Sequence, residues 1–233
     1  MMVIITGDTR GRLVEFLREN GWGRMFVGRS FKVYEGEQWG FDNGAYRDWL
    51  HGKTFDEERY KRALDKAISM ADKQAPYLSV LPDIVAGGER SLELSDKWAD
   101  RLKTEYKEFA LFNWYLAVQD GFTLEMIEEF IRKHKIKGIF LGGSDRFKAT
   151  APVWSKFAKE HNLRFHYARA GTPKKYALAK LVAADSLDST FFLWTKTRIS
   201  DFIAKGERIY RMMLAQSRII WEDEDESVFV SLL

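Results

Sequence analysis

The sequence predicts an α/β protein built as a compact (β/α)8 barrel, a TIM barrel. Short apolar runs recur eight times along the 233 residues, most of them end in Gly, Asp, Gln or Ser, and segments of helical period lie between most of them. Repeated βα units form either a doubly wound sheet or a closed barrel, and eight repeats favour the barrel. No linker or low-complexity stretch divides the chain, so residues 1–233 are predicted to form a single domain.

The predicted strands are short and rich in aliphatic and aromatic residues, as buried parallel strands are. In order they are VIITGD (3–8), MFVGRS (25–30), WGFDNG (39–44), YLSVLPD (77–83), YLAVQDG (115–121), GIFLGGS (138–144), FHYARAG (165–171) and ADSLDST (184–190).

The segments between the strands are amphipathic, with apolar residues at helical spacing. Examples are RLVEFLREN, DEERYKRALDKAISMADKQ, LEMIEEFIRKH, APVWSKFAKEH and PKKYALAKLVA. Thr54 and Thr123 are predicted to cap two of these helices, because a threonine side chain can accept a hydrogen bond from the first turn. Residues 31–38 are too few for a full helix, so the second βα unit is predicted to be irregular.

Composition limits the possible functions. The formal net charge is +3 and the pI is about 8.9, which permits a nucleic-acid partner without requiring one. The chain has no cysteine, which excludes disulfides, thiolate zinc sites and iron–sulfur clusters. No apolar run approaches the roughly 20 residues of a membrane span, and the first residues do not resemble a signal peptide. We therefore expect no membrane association and a cytoplasmic location.

The carboxyl ends of the strands carry the candidate functional residues, because barrel active sites lie there. These residues are Asp8, Arg29, Asp42, Asp83, Gln119, Gly142, Gly143, Arg169 and Asp188. Paired carboxylates suit chemistry at a sugar C1′, where one acts as nucleophile and the other as acid or base. They suit Mg²⁺ binding equally well, and spacing alone leaves both options open.

Four of these segments resemble motifs of the tRNA-guanine transglycosylases, in the same order over about residues 40–190. FDNGAY resembles the family's D-S-G-G-F/Y-Q motif, VQDG its Q-G-G strand end, and FLGGS its LGGL segment. AGTPKKYALAKLVAADSLDST is similar to its G-x-G-x-P, helix, G-x-D-x-F-D-C stretch. The resemblance is closest to the short phage and archaeal-virus members, which place 7-deazaguanines in DNA.

The resemblance implies roles for the two main acids. Asp188 matches the nucleophile, which would attack C1′ of the target nucleoside, expel guanine and form a glycosyl ester. Asp42 matches the general acid and base beside the leaving and incoming bases.

The resemblance also implies a base-binding set. Asp83 would bind the amino and ring N–H edge of the base, Gln119 with Gly142 and Gly143 would read the carbonyl edge, and Tyr46 would stack on the ring. Asn43 and Gly44 would let a flat purine lie against the backbone.

The expected reaction replaces guanine in DNA by a 7-deazaguanine base such as preQ0 or preQ1, without a metal or an organic cofactor. The same exchange on tRNA, or a non-catalytic nucleic-acid-binding subunit, are the alternatives, and the oligomeric state stays open. Candidate contacts to the nucleic-acid backbone lie on a basic amphipathic segment that would otherwise be a solvated face. They are Lys196, Arg198, Lys205, Arg208 and Arg211.

The sequence departs from the family pattern at several positions. Without cysteine the zinc subdomain cannot exist, which puts tRNA binding and the family's dimer in doubt. Ala168 stands where a methionine commonly stacks on the base, and Tyr167 should point the other way along its strand. Simpler roles also exist: Asp42 could serve as the N-cap of a helix beginning at Ala45, and Asp185 and His166 are expected to be structural.

Overall fold

The computed structural model describes residues 1–6, 11–27, 31–190 and 196–221. Its strands are β1 (Met2–Thr6), β2 (Gly23–Phe26), β3 (Gln38–Phe41), β4 (Leu78–Val80), β5 (Trp114–Val118), β6 (Gly138–Leu141), β7 (Arg164–Tyr167) and β8 (Ser186–Ser189). Its α-helices are α1 (Gly11–Glu19), α2 (Ala45–Leu50), α3 (Glu57–Ala71), α4 (Glu89–Glu105), α5 (Leu124–His134), α6 (Asp145–Lys148), α7 (Ala151–Glu160), α8 (Pro173–Leu181) and α9 (Lys196–Trp221). A 3-10 helix spans Lys107–Leu111.

The strands form a closed parallel barrel, which confirms the predicted fold. They pair in sequence order from β1 to β8, and β8 returns to pair with β1. In the closing pair, Ile4 lies opposite Asp188. Because all the strands run in the same direction, the residues that follow them meet at one end, which we call the mouth.

Side chains alternate between the barrel interior and the layer beneath the helices, as successive residues of a strand must. The interior layer is small, and its buried residues are Ile4, Met25, Leu78, Val80, Tyr115 and Ala117, with Phe140 packed against them. Gly138 leaves room for Tyr115, since a Cβ there would lie 2.4 Å from the tyrosine ring. The larger core lies between the strands and the helices, and Tyr167 belongs to it.

The second βα unit is irregular, as predicted, because no helix occurs in the described residues between β2 and β3, 31–37. A buried ion pair holds this segment instead. Arg24, 2% exposed, forms two hydrogen bonds with Glu37, which is fully buried. Arg24 also donates to Lys32 O at 2.6 Å, and Tyr34 N donates to Glu37 at 3.0 Å. The polar groups of the pair are thus bound within the protein.

One of the two predicted helix caps is correct. Thr123 accepts a hydrogen bond from Met126 N at 3.4 Å and begins α5. The prediction for Thr54 is wrong, because Asp56 caps α3 by accepting from Arg59 N at 2.9 Å. A cap must lie directly before the first helical turn, and Thr54 lies two residues too early.

Helix α9 is long and packs along α8. Glu207 accepts hydrogen bonds from Tyr176 Oη at 2.8 Å and from Lys180 Nζ, which ties the middle of α9 to the last turn of α8. Among the residues that the structure describes, no helix is both long and apolar enough to span a bilayer.

Candidate active site

A cavity of about 370 Å³ opens at the mouth of the barrel. Nine residues were predicted as catalytic or base-binding, and all of them except Gly44 line this cavity. The eight are Asp42, Asn43, Tyr46, Asp83, Gln119, Gly142, Gly143 and Asp188. The strand ends β3, β4, β5, β6 and β8 each bring at least one of them. Asp8 and Arg29, two further strand-end candidates, lie outside the described residues.

Asp42 enters the cavity directly after β3. Its carboxylate accepts a hydrogen bond from Gly44 N at 2.6 Å. The alternative that Asp42 is the N-cap of α2 is wrong, because Gly44 is the N-cap and no side chain caps this helix. Burial raises the pKa of Asp42 from 3.8 to about 6; the Gly44 N–H opposes this rise, and the charge of Asp188 adds to it. Asp42 therefore exchanges its proton near neutral pH.

Asp83 lies beside Asp42, held by Asn43. The Asn43 amide donates to Asp83 Oδ1 at 2.8 Å and to Leu81 O at 2.6 Å, and its own oxygen accepts from Ala45 N. Burial raises the pKa of Asp83 from 3.8 to about 7; the Asn43 bond opposes the rise and the charge of Asp42 adds to it. Asn43 thus positions an acid, and its amide is occupied within the protein.

Gln119 lines the cavity, but its amide is bound on both sides. Its oxygen accepts from Ala86 N at 2.6 Å, and its nitrogen donates to Ser91 Oγ at 2.7 Å and to Ile84 O at 3.0 Å. The nitrogen also lies 3.4 Å from Asp83 Oδ2. In this state Gln119 fixes the segment after β4, which is a different task from the predicted reading of a carbonyl edge.

Asp188 points into the barrel from β8 and is 6% exposed. Its Oδ1 atom lies 3.1 Å from His166 Nε2 and accepts from Arg169 N at 3.0 Å. The other ring nitrogen of His166 lies 2.8 Å from Ser186 Oγ, and the ring stacks on Phe140 at 4.6 Å between centroids. These contacts fix the orientation of the Asp188 carboxylate. His166 is buried in its strand as expected, but its contact with Asp188 was not predicted.

Arg169 crosses the mouth. Its backbone is left-handed, with φ of 52°, which is uncommon for a residue other than glycine. The guanidinium donates to Gly143 O and lies 4.6 Å from the ring centroid of Tyr46. Tyr46 is 40% exposed and stacks on Trp49 at 5.7 Å. The predicted stacking surface of Tyr46 is therefore covered in part by an arginine.

Lys148 is a cavity residue that the sequence analysis missed. It ends the short helix α6, is 1% exposed, and donates from Nζ to Ala168 O at 2.9 Å. Burial lowers the pKa of Lys148 from 10.5 to about 7, and the charges of Arg169 and Lys175 lower it further. The sequence carries no clear signal for it, because GGSDRFK reads as a polar segment in which a lysine is normally exposed.

The glycines of the two motifs have different surroundings. Gly142 and Gly143 line the cavity. Gly44 is not part of the cavity wall. Its φ is 79°, and a Cβ at this position would lie 3.0 Å from the Arg59 guanidinium. Gly44 therefore serves the turn into α2 and the contact with Arg59, and the placement of a purine against the backbone of Asn43 and Gly44 stays a prediction.

Ala168 lines the cavity, whereas Tyr167 points outward into the larger core, as the alternation along β7 predicts. Asp185 is structural, as expected, because its carboxylate accepts from Phe165 N at 2.7 Å.

The predicted backbone-binding cations of α9 are only partly described. Lys205, Arg208 and Arg211 are exposed, while the side chains of Lys196 and Arg198 lie outside the described part of the structure. Glu207, which directly precedes Arg208, binds Lys180. Lys180 lies in the last turn of α8, at the end of that helix farther from the mouth. Arg208 and Arg211 therefore lie along the outer wall, away from the cavity.

One cluster with metal-ligand geometry occurs in the described residues, and it lies on the outer helices away from the cavity. It consists of Asp96, Asp100 and His134. Lys133 pairs with both carboxylates, and Lys103 Nζ lies 2.9 Å from His134 Nδ1, so lysines already neutralise the cluster.

Fold and site together define a (β/α)8 barrel with several carboxylates in a cavity at its mouth, the position at which barrel enzymes carry their active sites. No protein-family model matches the sequence, and no curated protein matches it. The functional argument therefore depends on the geometry of the mouth.

Proposed function

We propose that this protein is a base-exchange transglycosylase that replaces guanine in DNA by a 7-deazaguanine base through an aspartyl–glycosyl intermediate. The observation that carries the proposal is the meeting of Asp42 and Asp188 in one cavity. They come from strands on different sides of the barrel, yet the charge of Asp188 raises the pKa of Asp42.

The surroundings of these two acids suit two different tasks. Asp188 is oriented by His166 and by the Arg169 N–H, and such donors stabilise a carboxylate that must act as a nucleophile. Asp42 has a pKa of about 6, within the range in which a group can both give and take a proton near neutral pH. Environments that separate the behaviour of two acids are typical of acid–base catalysis.

The exchange proceeds in two balanced displacements. The Asp188 carboxylate forms a bond to C1′ as the C1′–N9 bond of the target nucleoside breaks, and Asp42 gives its proton to the leaving guanine. The incoming base then loses its N9 proton to the Asp42 carboxylate and attacks C1′, which releases the Asp188 carboxylate. Two inversions at C1′ retain the β configuration.

Asp83 supports a purine ligand in the same cavity. A guanine-type base carries neighbouring donors, N1–H and the 2-amino group, and a buried carboxylate at the cavity wall matches that edge. Asn43 and Gln119 hold the surroundings of Asp83 and are assigned here as positioning residues. Tyr46 is exposed at the rim and offers an aromatic face once Arg169 moves aside.

The polymer substrate is proposed to be DNA because the chain has no cysteine and hence no zinc subdomain of the kind that the tRNA enzymes use. The target nucleotide must leave the base stack to reach the cavity, which costs a few kcal/mol for a paired base. The net charge of +3 is compatible with a polyanionic partner.

The test is base exchange by the purified chain alone. DNA and tRNA are incubated separately with an isotopically labelled 7-deazaguanine, and the digested nucleosides are analysed by mass spectrometry. We expect label in DNA. Label in tRNA alone would reassign the substrate, and label in neither would reject the proposal and favour a non-catalytic subunit.

Two substitutions in the cavity sharpen the test. Asp188→Ala should abolish a covalent adduct between protein and DNA, whereas Asp42→Asn should slow its formation by about 100-fold or more, because proton transfer is lost. Asp65→Asn, on the exposed face of α3, serves as the matched control and should leave the adduct unchanged. An adduct that forms normally in Asp188→Ala would show that another group attacks C1′.

A further inference from the structure

Lys148 has more hydrogen-bonding capacity than the protein uses. Its ammonium has three protons, and among the described residues Nζ donates one hydrogen bond, to Ala168 O, lies 5.7 Å from the ring centroid of Tyr167, and forms no ion pair. The side chain is 1% exposed and lines the cavity. A buried donor without an acceptor is costly, so the remaining protons call for an acceptor on a bound ligand.

The other two cations of the cavity are already engaged. Lys175 Nζ binds Asp145 at 2.7 Å, and the Arg169 guanidinium donates to Gly143 O and covers Tyr46. Of the three, Lys148 is thus the cation best placed to receive a ligand group.

The cavity carries two acids, Asp42 and Asp83, on one side. On the other side it carries Lys148, together with Asp145, which Lys175 binds, and Asp188, which His166 and the Arg169 N–H bind. Asp42 and Asp83 follow β3 and β4, whereas Lys148 lies after β6 and reaches the residue that follows β7 at Ala168. In a closed barrel of eight strands, β3 and β7 face each other across the axis. A ligand that spans the cavity therefore meets acceptors at one end and a donor cation at the other.

A 7-deazaguanine has the complementary arrangement. Its N1–H and 2-amino donors lie on the six-membered ring, and the 7-substituent leaves from the far side of the five-membered ring. A base that places its donors on Asp83 directs its 7-substituent toward the side of Lys148.

We infer that Lys148 determines the specificity for the 7-substituent: it selects a group that ends in a hydrogen-bond acceptor, such as a nitrile, and disfavours one that ends in a cation, such as an aminomethyl group. This inference rests on the proposed function. It selects preQ0, with its nitrile, over preQ1, with its aminomethyl group, because the protonated form of Lys148 and an aminomethyl cation repel each other in one buried site.

The test compares these two bases with the full chain. Their dissociation constants are measured by calorimetry, and their kcat/KM values are measured in the DNA exchange assay. The nitrile base should bind at least about tenfold more tightly than the aminomethyl base. Lys148→Met should remove most of this preference, and Lys148→Glu should reverse it. Lys156→Met, on the exposed face of α7, is the matched control and should keep the preference.

The outcomes separate the two proposals. Exchange of both bases with equal kcat/KM would keep the transglycosylase and overturn the role of Lys148, as would an unchanged preference in a folded Lys148→Met variant. Selective binding without exchange into any nucleic acid would reject the transglycosylase and keep the selectivity. Thermal unfolding of each variant shows whether it is folded. If Lys148→Glu does not fold, the result for Lys148→Met alone decides whether Lys148 sets the preference.

Discussion

The protein contains two sets of buried charges, the pair of Arg24 and Glu37 and the charged groups of the mouth. Both sets are buried to a similar depth, but the protein binds them in different ways. Arg24 and Glu37 form two hydrogen bonds with each other; in addition, Arg24 donates to the backbone oxygen of Lys32, and Glu37 accepts from the backbone N–H of Tyr34. Lys148 has one hydrogen bond, and the pKa of Asp83 is raised to about 7, mainly because burial disfavours its charge. Among the described residues, Arg24 and Glu37 neutralise each other, whereas Lys148 and Asp83 form no ion pair and are available to a ligand.

The largest effect is expected from breaking the ion pair of Arg24 and Glu37. Glu37→Gln should lower the free energy of unfolding by about 4 kcal/mol, because it leaves the Arg24 guanidinium buried without its counter-charge. Urea denaturation at pH 7 measures this loss. Replacing both residues by methionine should recover most of it, and Glu128→Gln, at an exposed site on α5, should change little. A loss below about 1 kcal/mol for Glu37→Gln would remove the distinction between the two regions.

Replacing an acid of the cavity should change the free energy of unfolding in the opposite direction. Asp83→Asn should raise the free energy of unfolding by on the order of 2 kcal/mol at pH 8, because it removes a charge that burial disfavours. The pKa of Asp83 is about 7 in the folded protein against 3.8 for an unperturbed aspartate, so the folded state holds the proton more tightly. Wild-type stability therefore falls between about pH 4 and pH 7, and the advantage of the variant grows over the same interval.

Denaturation curves at pH 4 and pH 8 check the sign of this effect. A stabilisation that is equal at both pH values would contradict it, and Asp65→Asn provides the exposed control, with an expected change within about 0.5 kcal/mol. The same variant should bind a guanine-type base more weakly, so stability and function change in opposite directions.

The smallest effect concerns the backbone of Arg169. Arg169→Gly should be more stable than Arg169→Ala by about 1 kcal/mol, because the left-handed φ of 52° is strained for any residue with a Cβ. Thermal unfolding of the two variants measures this difference. Both lack the guanidinium that covers Tyr46, so their exchange rates should be similar. Equal stabilities would show that the strain at this position is negligible.

The barrel was predictable from the sequence because eight apolar strands each end in a turn residue, and a parallel closed sheet brings such ends together. Asp42, Asp83 and Asp188 were placed correctly at the mouth for the same reason. The contact between His166 and Asp188 was not predictable, because it depends on the register between β7 and β8, in which His166 pairs with Ser186.

The hydrogen bonds of Gln119 could not be predicted from the sequence either. Its amide joins the segment after β4 through Ala86 and Ser91, and a single polar residue at a strand end does not reveal which neighbour it will bind. Lys148 was missed for a different reason, because a lysine in a polar turn is normally a surface residue. Lys148 ends α6, and its Nζ donates to Ala168 O after β7, a contact between separate βα units that the local sequence does not reveal.

The pairing of β8 with β1 has a consequence for synthesis. Strand β1 emerges from the ribosome before the other strands of the barrel, but its partner β8 emerges only after β2 to β7. Until then β1 has one open edge, and Asp188, the residue opposite Ile4, is still missing from the barrel. Protein that is released early should therefore contain most of the barrel but lack the group proposed to bond to the sugar, so a truncated product would be inert toward nucleic acid.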